Sequence, residues 1–426
     1  MIQTVKTMNE NQHIPQGYKN SPLGIIPEDW EVKRLGDVCN NNGDYGLNAP
    51  ATDYSVNLPT YIRITDIDDN GKFIHSDKKS VNSPDVNAYY LKDGDIVFAR
   101  TGATVGKTYL YDKNDGELVY AGFLIKFSPN TKAIHPYYLK ANTETQNYKN
   151  WVMITSQRSG QPGINAAEYC SFKFPVPPLP EQQRIVFVLQ LWDTAIEKQT
   201  QLVEKLTLRK RGLMQQLLTG KKRLKGFEGE WKEVKLGEIG TRITRKNSED
   251  NKNVVTISAQ RGFVIQTDFF SKSIASEVLD NYYLVHRNEF CYNKSYSNGY
   301  PMGAIKRLKT FDKAVVTTLY ICFKLKDKPE TDIDFFEQYC ESGLLNKELI
   351  KVANEGGRAH GLLNVTPDDF FNMRMRIPNH KEQNAIASVL IQADKGIELA
   401  NKKLTQLQAQ KRGLMQVLLT GKKRVK

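Results

Sequence analysis

The sequence predicts an α+β protein in which two mixed α/β domains are separated by two long helices packed as an antiparallel coiled coil. Three observations predict this fold class. The segment KRGLMQQLLTGKKRLK at 210–225 returns almost unchanged as KRGLMQVLLTGKKRVK at 411–426, which sets a pseudo-twofold internal repeat of about 201 residues. Short β-type runs fill the first part of each copy, and a helical heptad pattern fills the second part.

The repeat also places the domain boundaries. The same offset carries Trp30 onto Trp231 and Glu181-Gln182 onto Glu382-Gln383. A period of about 200 residues is too long for a solenoid, so it indicates duplication of a whole domain with its connector. The predicted segments are an N-terminal tail (1–24), a first domain (25–178), a central helical region (179–222), a second domain (223–379) and a C-terminal helical region (380–426).

The first part of each copy is rich in aromatic and β-branched residues. Runs at 61–65, 95–100, 108–111 and 314–320 are bounded by Gly, Asn and Asp, which is typical of short strands. Helical patterns at 335–339 and 344–352 interrupt the strands of the second copy. Each domain is therefore predicted to mix helices and strands.

The second part of each copy carries apolar residues at alternating spacings of four and three, the pattern of a coiled-coil seam. Two equivalent seams in one chain can pair antiparallel, and the alternative is that each helix lies only on its own domain. A helix over 181–218 would span about 57 Å at 1.5 Å per residue. The predicted seam residues are Ile185, Leu189, Trp192, Ile196, Val203, Leu206, Leu213, Leu217, Ile386, Leu390, Ile397, Leu404, Leu407, Leu414 and Leu418.

Glycines mark the helix ends. Gly220 and Gly421 suit C-caps, whereas Gly212 and Gly413 should weaken the helices by about 1 kcal/mol each. The basic residues around these ends either cap the helices or contact phosphate or a partner subunit. Because position 426 corresponds to 225, the second helix ends where the first domain could begin, so the two ends of the chain are predicted to lie near each other.

Charge is the unusual feature of the composition. The 426 residues include 60 Lys and Arg against 47 Asp and Glu, a formal net charge of +13 that favours a polyanionic partner. No apolar run is long enough to span a bilayer, and the first 15 residues contain no apolar stretch typical of a secretion signal. The five scattered cysteines argue against a disulfide framework and favour the reducing cytoplasm.

Taken together, this organisation resembles the specificity (S) subunits of type I restriction–modification systems. The resemblance covers nearly the whole chain. It is carried by the repeated RGLMQxLLTGKKR segment, by the domain openings IPEDW (26–30) and FEGEW (227–231), and by PPLPEQ (177–182) before the first helix. Further matches are GDIVFARTG (94–102) with its counterpart YNKSYS (292–297), and GQPGIN (160–165) with its counterpart GRAHGLLN (357–364). The second copy departs where PPLP becomes IPNHK.

The resemblance implies a non-catalytic subunit that binds double-stranded DNA. Each domain, as a target-recognition domain, would read one half of a bipartite asymmetric target in the major groove, and the helices would set the spacer between the halves. Two modification subunits carrying S-adenosylmethionine would dock on the helical regions and methylate adenine, and two restriction subunits would join them. The chain itself would hold no cofactor and no metal.

The sequence motifs for catalysis are incomplete. A phosphate-binding loop needs four residues between its glycines, but only three separate Gly102 from Gly106. The glycine-rich cofactor loop and the Asn/Asp-Pro-Pro-Tyr/Phe motif of adenine methyltransferases are both missing from the sequence, and its six histidines show no metal spacing. No catalytic residue is therefore predicted. A self-contained methyltransferase or nuclease and a basic coiled-coil scaffold are the alternatives.

DNA-contact candidates come from residue type and position. Arg and Lys suit guanine, Asn and Gln suit adenine, and Ser and Thr suit phosphate, especially in loops beside glycine. The predicted contacts are Arg63, Arg100, Thr101, Lys107, Arg158, Ser159 and Gln161 in the first domain, and Lys294, Ser295, Tyr296, Asn298, Arg358 and His360 in the second.

Overall fold

The structure, a computed structural model, describes residues 14–266, 279–327, 330–353 and 363–425. The chain divides into two compact units. Unit 1 contains residues 1–198 and 403–426, and unit 2 contains residues 199–402. Each unit mixes strands and helices, as the predicted α+β class requires. Within the described ranges, none of the helices is long and apolar enough to cross a membrane.

Unit 1 begins with the first domain. Its helices are α1 Pro136–Asn142, α2 Gln146–Thr155 and α3 Ala166–Cys170, followed by the long helix α4 Leu179–Leu217, which continues into unit 2. Its strands are β1 Tyr18–Ser21, β2 Gly24–Pro27, β3 Glu31–Arg34, β4 Asp44–Tyr45, β5 Ala51–Asp53, β6 Thr60–Ile62, β7 Lys79–Val81, β8 Ile96–Ala99, β9 Thr108–Leu110, β10 Leu118–Tyr120, β11 Leu124–Phe127 and β12 Lys173–Val176.

Two four-stranded sheets organise this domain. One is an antiparallel sheet in the order β4-β11-β8-β9, and the other has the order β10-β6-β7-β5, with β10 parallel to β6. The two-stranded pairs β1-β2 and β3-β12 complete the domain. Phe98, Phe127 and Tyr169 pack as a buried aromatic group on the antiparallel sheet. All four residues of β8 are buried, Ile96 and Phe98 in one core cluster and Val97 and Ala99 in another, so both faces of this strand are covered.

Unit 2 contains the second domain. Its helices are α5 Leu236–Ile239, α6 Ile333–Glu341, α7 Asn346–Val352 and α8 Pro367–Asn372, followed by the long helix α9 His380–Leu418, which ends in unit 1. Its strands are β13 Lys232–Lys235, β14 Gly240–Ile243, β15 Val255–Ser258, β16 Gly262–Ile265, β17 Tyr283–His286, β18 Phe290–Asn293, β19 Ala304–Arg307, β20 Lys313–Val316, β21 Ile321–Leu325 and β22 Arg374–Ile377.

The second domain repeats the antiparallel sheet of the first. Its strands have the order β14-β21-β18-β19, which matches β4-β11-β8-β9 strand for strand. The run 314–320, predicted as one strand, is a strand only to Val316, and residues 317–320 form a turn. The chain must turn there because β20 pairs with β17, whereas β21 pairs with β18 in the other sheet.

The long helices pair with opposite directions inside each unit. In unit 1, Ile185 and Leu189 near the start of α4 share a buried cluster with Met415 and Leu418 near the end of α9. In unit 2, the end of α4 and the start of α9 form the equivalent cluster with residues 201 positions away. Both clusters also include domain residues. The helices therefore form the predicted antiparallel pair, and each helix end packs on a domain as well as on its partner helix.

The predicted seam residues differ in how deeply they are buried. None of the fifteen seam residues is exposed, and six of them are buried, namely Ile185, Leu189, Leu217, Ile386, Leu390 and Leu418. The sequence analysis missed a second buried strip, which contains Val186, Met214, Leu218, Ala387, Met415 and Leu419. These residues lie beside the seam because each helix end also packs on a domain. A helix that packs on two neighbours needs a wider apolar face than a helix in an isolated coiled coil.

A buried glutamine fixes the start of each long helix. The side chain of Gln182 donates to the carbonyl of Pro177 at 2.9 Å, and that of Gln383 donates to the carbonyl of Pro378 at 2.8 Å. Each glutamine oxygen also accepts a backbone N–H from the loop below it. These bonds tie each connection from strand to long helix to its domain, and they satisfy both the nitrogen and the oxygen of the glutamine amide.

Ion pairs between the helices repeat at the same offset. Lys411 lies 2.6 Å from Asp193, and Lys210 lies 2.5 Å from Asp394. Beyond the helix ends, Arg424 contacts Glu181 and Arg223 contacts Glu382, each with closest N–O distances of 2.6 Å. These four cations bind carboxylates within their own unit, so only the other basic residues at the helix ends remain candidates for phosphate or partner contacts.

The predicted glycine caps are present. Gly220 and Gly421 have φ angles of +69° and +71°, the left-handed region in which glycine ends a helix. The carbonyl of Gly421 accepts a hydrogen bond from the hydroxyl of Tyr18 at 3.1 Å. Residues near the two ends of the chain therefore meet in unit 1, as the cyclic correspondence of the repeat predicts.

The helix glycines should respond oppositely to alanine. A Cβ at Gly212 or Gly413 would meet no atom within 4 Å, so we expect Gly212→Ala and Gly413→Ala each to raise the free energy of unfolding by about 0.5–1 kcal/mol. A Cβ at Gly421 would lie 2.3 Å from Cδ of Pro27, at a positive φ, so we expect Gly421→Ala to lower it by about 2 kcal/mol or more. Urea unfolding of the three variants tests this, and a destabilised Gly212→Ala would contradict it.

Candidate nucleic-acid interface

The predicted contact residues of the first domain gather at one end of the antiparallel sheet. Ala99 at the end of β8 pairs with Leu124 at the start of β11, so the loop 100–107 lies beside the turn 121–123. The backbone N–H of Arg100 donates to the carbonyl of Phe123 at 3.0 Å. β6 runs parallel to β10 and ends at the same side, which brings Arg63 there as well.

A third loop, 156–163, joins this end of the sheet. Ile164 N–H donates to the carbonyl of Arg100 at 2.9 Å, and Gly102 N–H donates to the carbonyl of Pro162 at 3.0 Å. The loops that carry six of the seven predicted residues, all but Arg63, are thereby held together by backbone hydrogen bonds. We call the loops 100–107, 121–123 and 156–163 the unit 1 recognition loops.

The charge of the first domain differs between the two ends of this sheet. The unit 1 recognition loops contain Arg100, Lys107 and Arg158 and no Asp or Glu. The loops 92–95 and 111–117 at the other end contain five carboxylates and two lysines. A polyanion favours cations and disfavours carboxylates, so the loops that bring three cations and no carboxylate of their own form the end of the sheet better suited to DNA.

Arg100 has a distinctive environment. Its guanidinium carbon lies 4.8 Å from the centre of the Tyr45 ring, a cation–π contact, and no carboxylate binds it among the described residues. The Tyr45 hydroxyl in turn accepts the N–H of Ala166 at 3.2 Å. The half-buried guanidinium is therefore oriented by an aromatic face and keeps its donors for another partner.

The other three cations among the predicted contacts of the first domain have carboxylate partners. Arg63 binds Asp66 through two hydrogen bonds of 2.7 and 2.8 Å, and Lys107 lies 2.7 Å from Asp69. The guanidinium of Arg158 lies 2.5 Å from the carboxylate of the half-buried Glu168. Each of these cations would have to exchange its partner to contact DNA. Thr101 is half-buried, whereas Ser159 and Gln161 are exposed.

The same end of the second domain carries the other predicted contacts. Leu363 N–H donates to the carbonyl of Lys294 at 3.0 Å, the counterpart of the bond from Ile164 to Arg100. The loop 294–303 contains Lys294, Ser295, Tyr296 and Asn298, and it has no carboxylate. We call the loop 294–303 and the turn 317–320 the unit 2 recognition loops. Arg358 and His360 lie outside the described residues.

The loop 294–303 is anchored by a polar group that the sequence analysis missed. Lys306 on β19 is buried, and its ammonium lies 2.6 Å from Glu341 and 4.6 Å from the ring centre of Tyr300. The Tyr300 hydroxyl donates to Glu341 at 2.8 Å, and burial followed by the charge of Glu341 raises the pKa of this tyrosine. The anchor leaves Tyr296, which is 69% exposed, at the free surface of the loop.

The fold and the paired recognition loops define a DNA-recognition protein with two domains. The family model of the type I restriction modification DNA specificity domain matches residues 27–207 and again residues 228–409. The chain therefore belongs to this family, and the family resemblance inferred from the sequence is confirmed.

Curated relatives agree with the family. The chain is 29% identical over 439 residues to the putative type I restriction enzyme MjaX specificity subunit of Methanocaldococcus jannaschii, covering 96% of this chain and 97% of that protein. It is 23% identical over 424 residues to the type I restriction enzyme MjaVIII specificity subunit of the same organism, covering 94% of each.

Solved structures show the same fold. A chain from a structure of a type I R-M system has a TM-score of 0.53 at 18% identity, covering 93% of this chain and 99% of that chain. The S subunit of a type I restriction–modification system from M. genitalium has a TM-score of 0.53 at 14% identity, covering 92% and 96%.

Proposed function

We propose that each domain reads one half of a bipartite DNA target through its recognition loops. The observation that carries this proposal is the repetition of one arrangement in two domains of different sequence, namely basic loops without carboxylates at the same end of the same sheet. Arg100 and Lys294 follow equivalent strands and occupy equivalent places in these loops. The helices would set the number of base pairs between the two halves.

The partners of the chain would be the other subunits of a type I system. Two modification subunits would carry S-adenosylmethionine and methylate adenine, and two restriction subunits would join them, while this chain would supply no catalytic residue or cofactor. The twofold repetition of the ion pairs between the helices supports two equivalent docking surfaces. Phe187 and Leu191, exposed one turn apart on α4, are suited to a protein partner. The natural compartment would be the cytoplasm.

Exchange of one domain tests whether each domain reads its own half of the target. We expect that replacing residues 25–178 by the corresponding domain of a relative will change one half of the target and leave the other half unchanged. Mapping methylated adenines across the host genome before and after the exchange measures both halves. The matched control is exchange of residues 223–379, which should change only the other half. Simultaneous change of both halves in either experiment would contradict separate reading.

The non-catalytic role has its own test. The purified chain is incubated with target DNA and labelled S-adenosylmethionine, with and without the modification subunit. We expect transfer of the label only when the modification subunit is present. Transfer by the chain alone would identify it as a methyltransferase. Failure of the assembled complex to bind duplex DNA would instead favour a scaffold.

A further inference from the structure

One large apolar side chain is exposed in a recognition-loop turn of each domain. Phe123 is 59% exposed in the turn 121–123, and Leu319 is 55% exposed in the turn 317–320. Strand pairing makes the two positions equivalent, because Phe98 pairs with Ile125 and Tyr292 pairs with Ile321. Each apolar residue therefore lies two positions before the paired isoleucine. Phe123 and Leu319 are 196 residues apart, whereas the sequence repeat has an offset of 201. The repeat alone therefore does not align these two residues.

The surroundings of these side chains distinguish them from ordinary exposed apolar residues. Single exposed apolar side chains are common on protein surfaces, but turns favour polar residues, and here the same turn position is apolar in both domains. The carbonyl of Phe123 accepts the N–H of Arg100, so the exposed ring belongs to a residue hydrogen-bonded to Arg100, whose guanidinium has no carboxylate partner within the described residues. Both turns lack Asp and Glu, which keeps them compatible with DNA.

Base chemistry indicates what such a residue would contact. In the major groove the base edges present donors, acceptors and one apolar group, the C5-methyl of thymine. An arginine contact to guanine and an apolar contact to a neighbouring thymine use adjacent positions on the same groove floor. Every target half that contains an adenine to be methylated also contains a thymine opposite that adenine.

We propose that Phe123 and Leu319 are specificity-determining residues that each pack against the methyl group of a thymine in the half-target read by their own domain. This inference rests on the proposed function. It assigns to each domain one apolar contact beside the hydrogen-bonding contacts of Arg100 and Lys294. Discrimination between thymine and cytosine at that position would then depend on the turn rather than on the basic loop.

The test combines substitutions in the protein with base changes in the DNA and measures duplex binding by the complex of the chain with its modification subunit. Each thymine of the mapped target is replaced in turn by uracil, which removes only the methyl group. For the wild-type complex we expect one thymine in the half read by the first domain at which this replacement weakens binding about fourfold. For Phe123→Ala we expect weaker binding to the thymine duplex and no further loss with uracil at that position. Leu319→Ala should behave in the same way in the other half only.

Val56→Ala is the matched control, because Val56 is also exposed and apolar but precedes β6 at the end away from the recognition loops. It should keep the wild-type response to uracil. Equal losses of Phe123→Ala with thymine and uracil at every position would overturn the inference, as would unchanged binding. If the wild-type complex does not prefer the mapped target to a scrambled duplex, the proposed function fails and the inference fails with it. Preference without coupling to any thymine overturns the inference alone.

Discussion

Replacing Arg100 with alanine is expected to weaken binding of the assembled complex to its target about 10-fold to 100-fold. A guanidinium that makes two hydrogen bonds to a guanine contributes about 1–3 kcal/mol of discrimination against other bases. Among the four predicted cations of the first domain, Arg100 is the one without a carboxylate partner within the described residues, and the ring of Tyr45 orients its guanidinium. Competition between the target and duplexes altered at single positions measures the loss, which should be confined to one base pair of one half-target.

Lys132→Ala supplies the control for charge. Lys132 is an exposed residue in the loop after β11, at the opposite end of the sheet from Arg100. Its removal changes the net charge equally but should leave the preference for the target over a scrambled duplex unchanged. If Arg100→Ala weakened binding to both duplexes by the same factor, Arg100 would contribute charge alone and the assignment of base reading would be wrong.

The second large effect is expected at the joint between α4 and the end of α9. The Glu181 carboxylate, 2% exposed, accepts hydrogen bonds from Arg424 and from the ring N–H of Trp30 at 3.0 Å. Arg424 also binds Asp29, and its hydrogen bond lowers the pKa of that carboxyl. Glu181→Ala would leave the buried Trp30 N–H unsatisfied and remove two charge-assisted bonds. We expect a local loss of about 3 kcal/mol, or about 100-fold faster amide exchange in the first turns of α4.

Glu382→Ala is the matched variant in unit 2. Glu382 binds Arg223 in the same way, but the ring N–H of Trp231 has no partner within the described residues, so one interaction fewer is lost. Hydrogen exchange followed by mass spectrometry should show faster exchange at 182–190 in Glu181→Ala and a smaller increase at 383–391 in Glu382→Ala. Equal changes in both segments for either variant would contradict a local role for these carboxylates.

The helical part of the fold could be predicted from the sequence because its causes are local and repeated. Heptad spacing places Ile185 and Leu189 on the seam, and the glycines at 220 and 421 end the helices where the periodicity stops. The strand prediction was less accurate at 317–320. The chain turns there because β20 and β21 pair with different strands, and such pairing between residues distant in sequence does not follow from local strand propensity.

The candidate interface could be predicted as a set of loops but not as a set of available side chains. Residue type and glycine placement indicated the segments 100–107 and 156–163, which the structure brings together, and 294–303, which lies at the equivalent end of the second domain. The partners of Arg63, Lys107 and Arg158 depend on where Asp66, Asp69 and Glu168 lie after folding. Tyr45 and the two apolar turn residues were missed because their positions beside these loops depend on strand register.

The meeting of Tyr18 with Gly421 has a consequence for how the protein is made. Unit 2 is one continuous stretch, 199–402, and can complete its core as soon as the ribosome has released it, whereas unit 1 needs residues 403–426 in addition to 1–198. At about 5–20 residues per second, the first domain waits about 10–40 s for the last helix turns that cover its core. During that interval Ile185 and Leu189 lack their contacts with Met415 and Leu418. The unit whose synthesis begins first is thus also the unit whose last core residues are synthesised last.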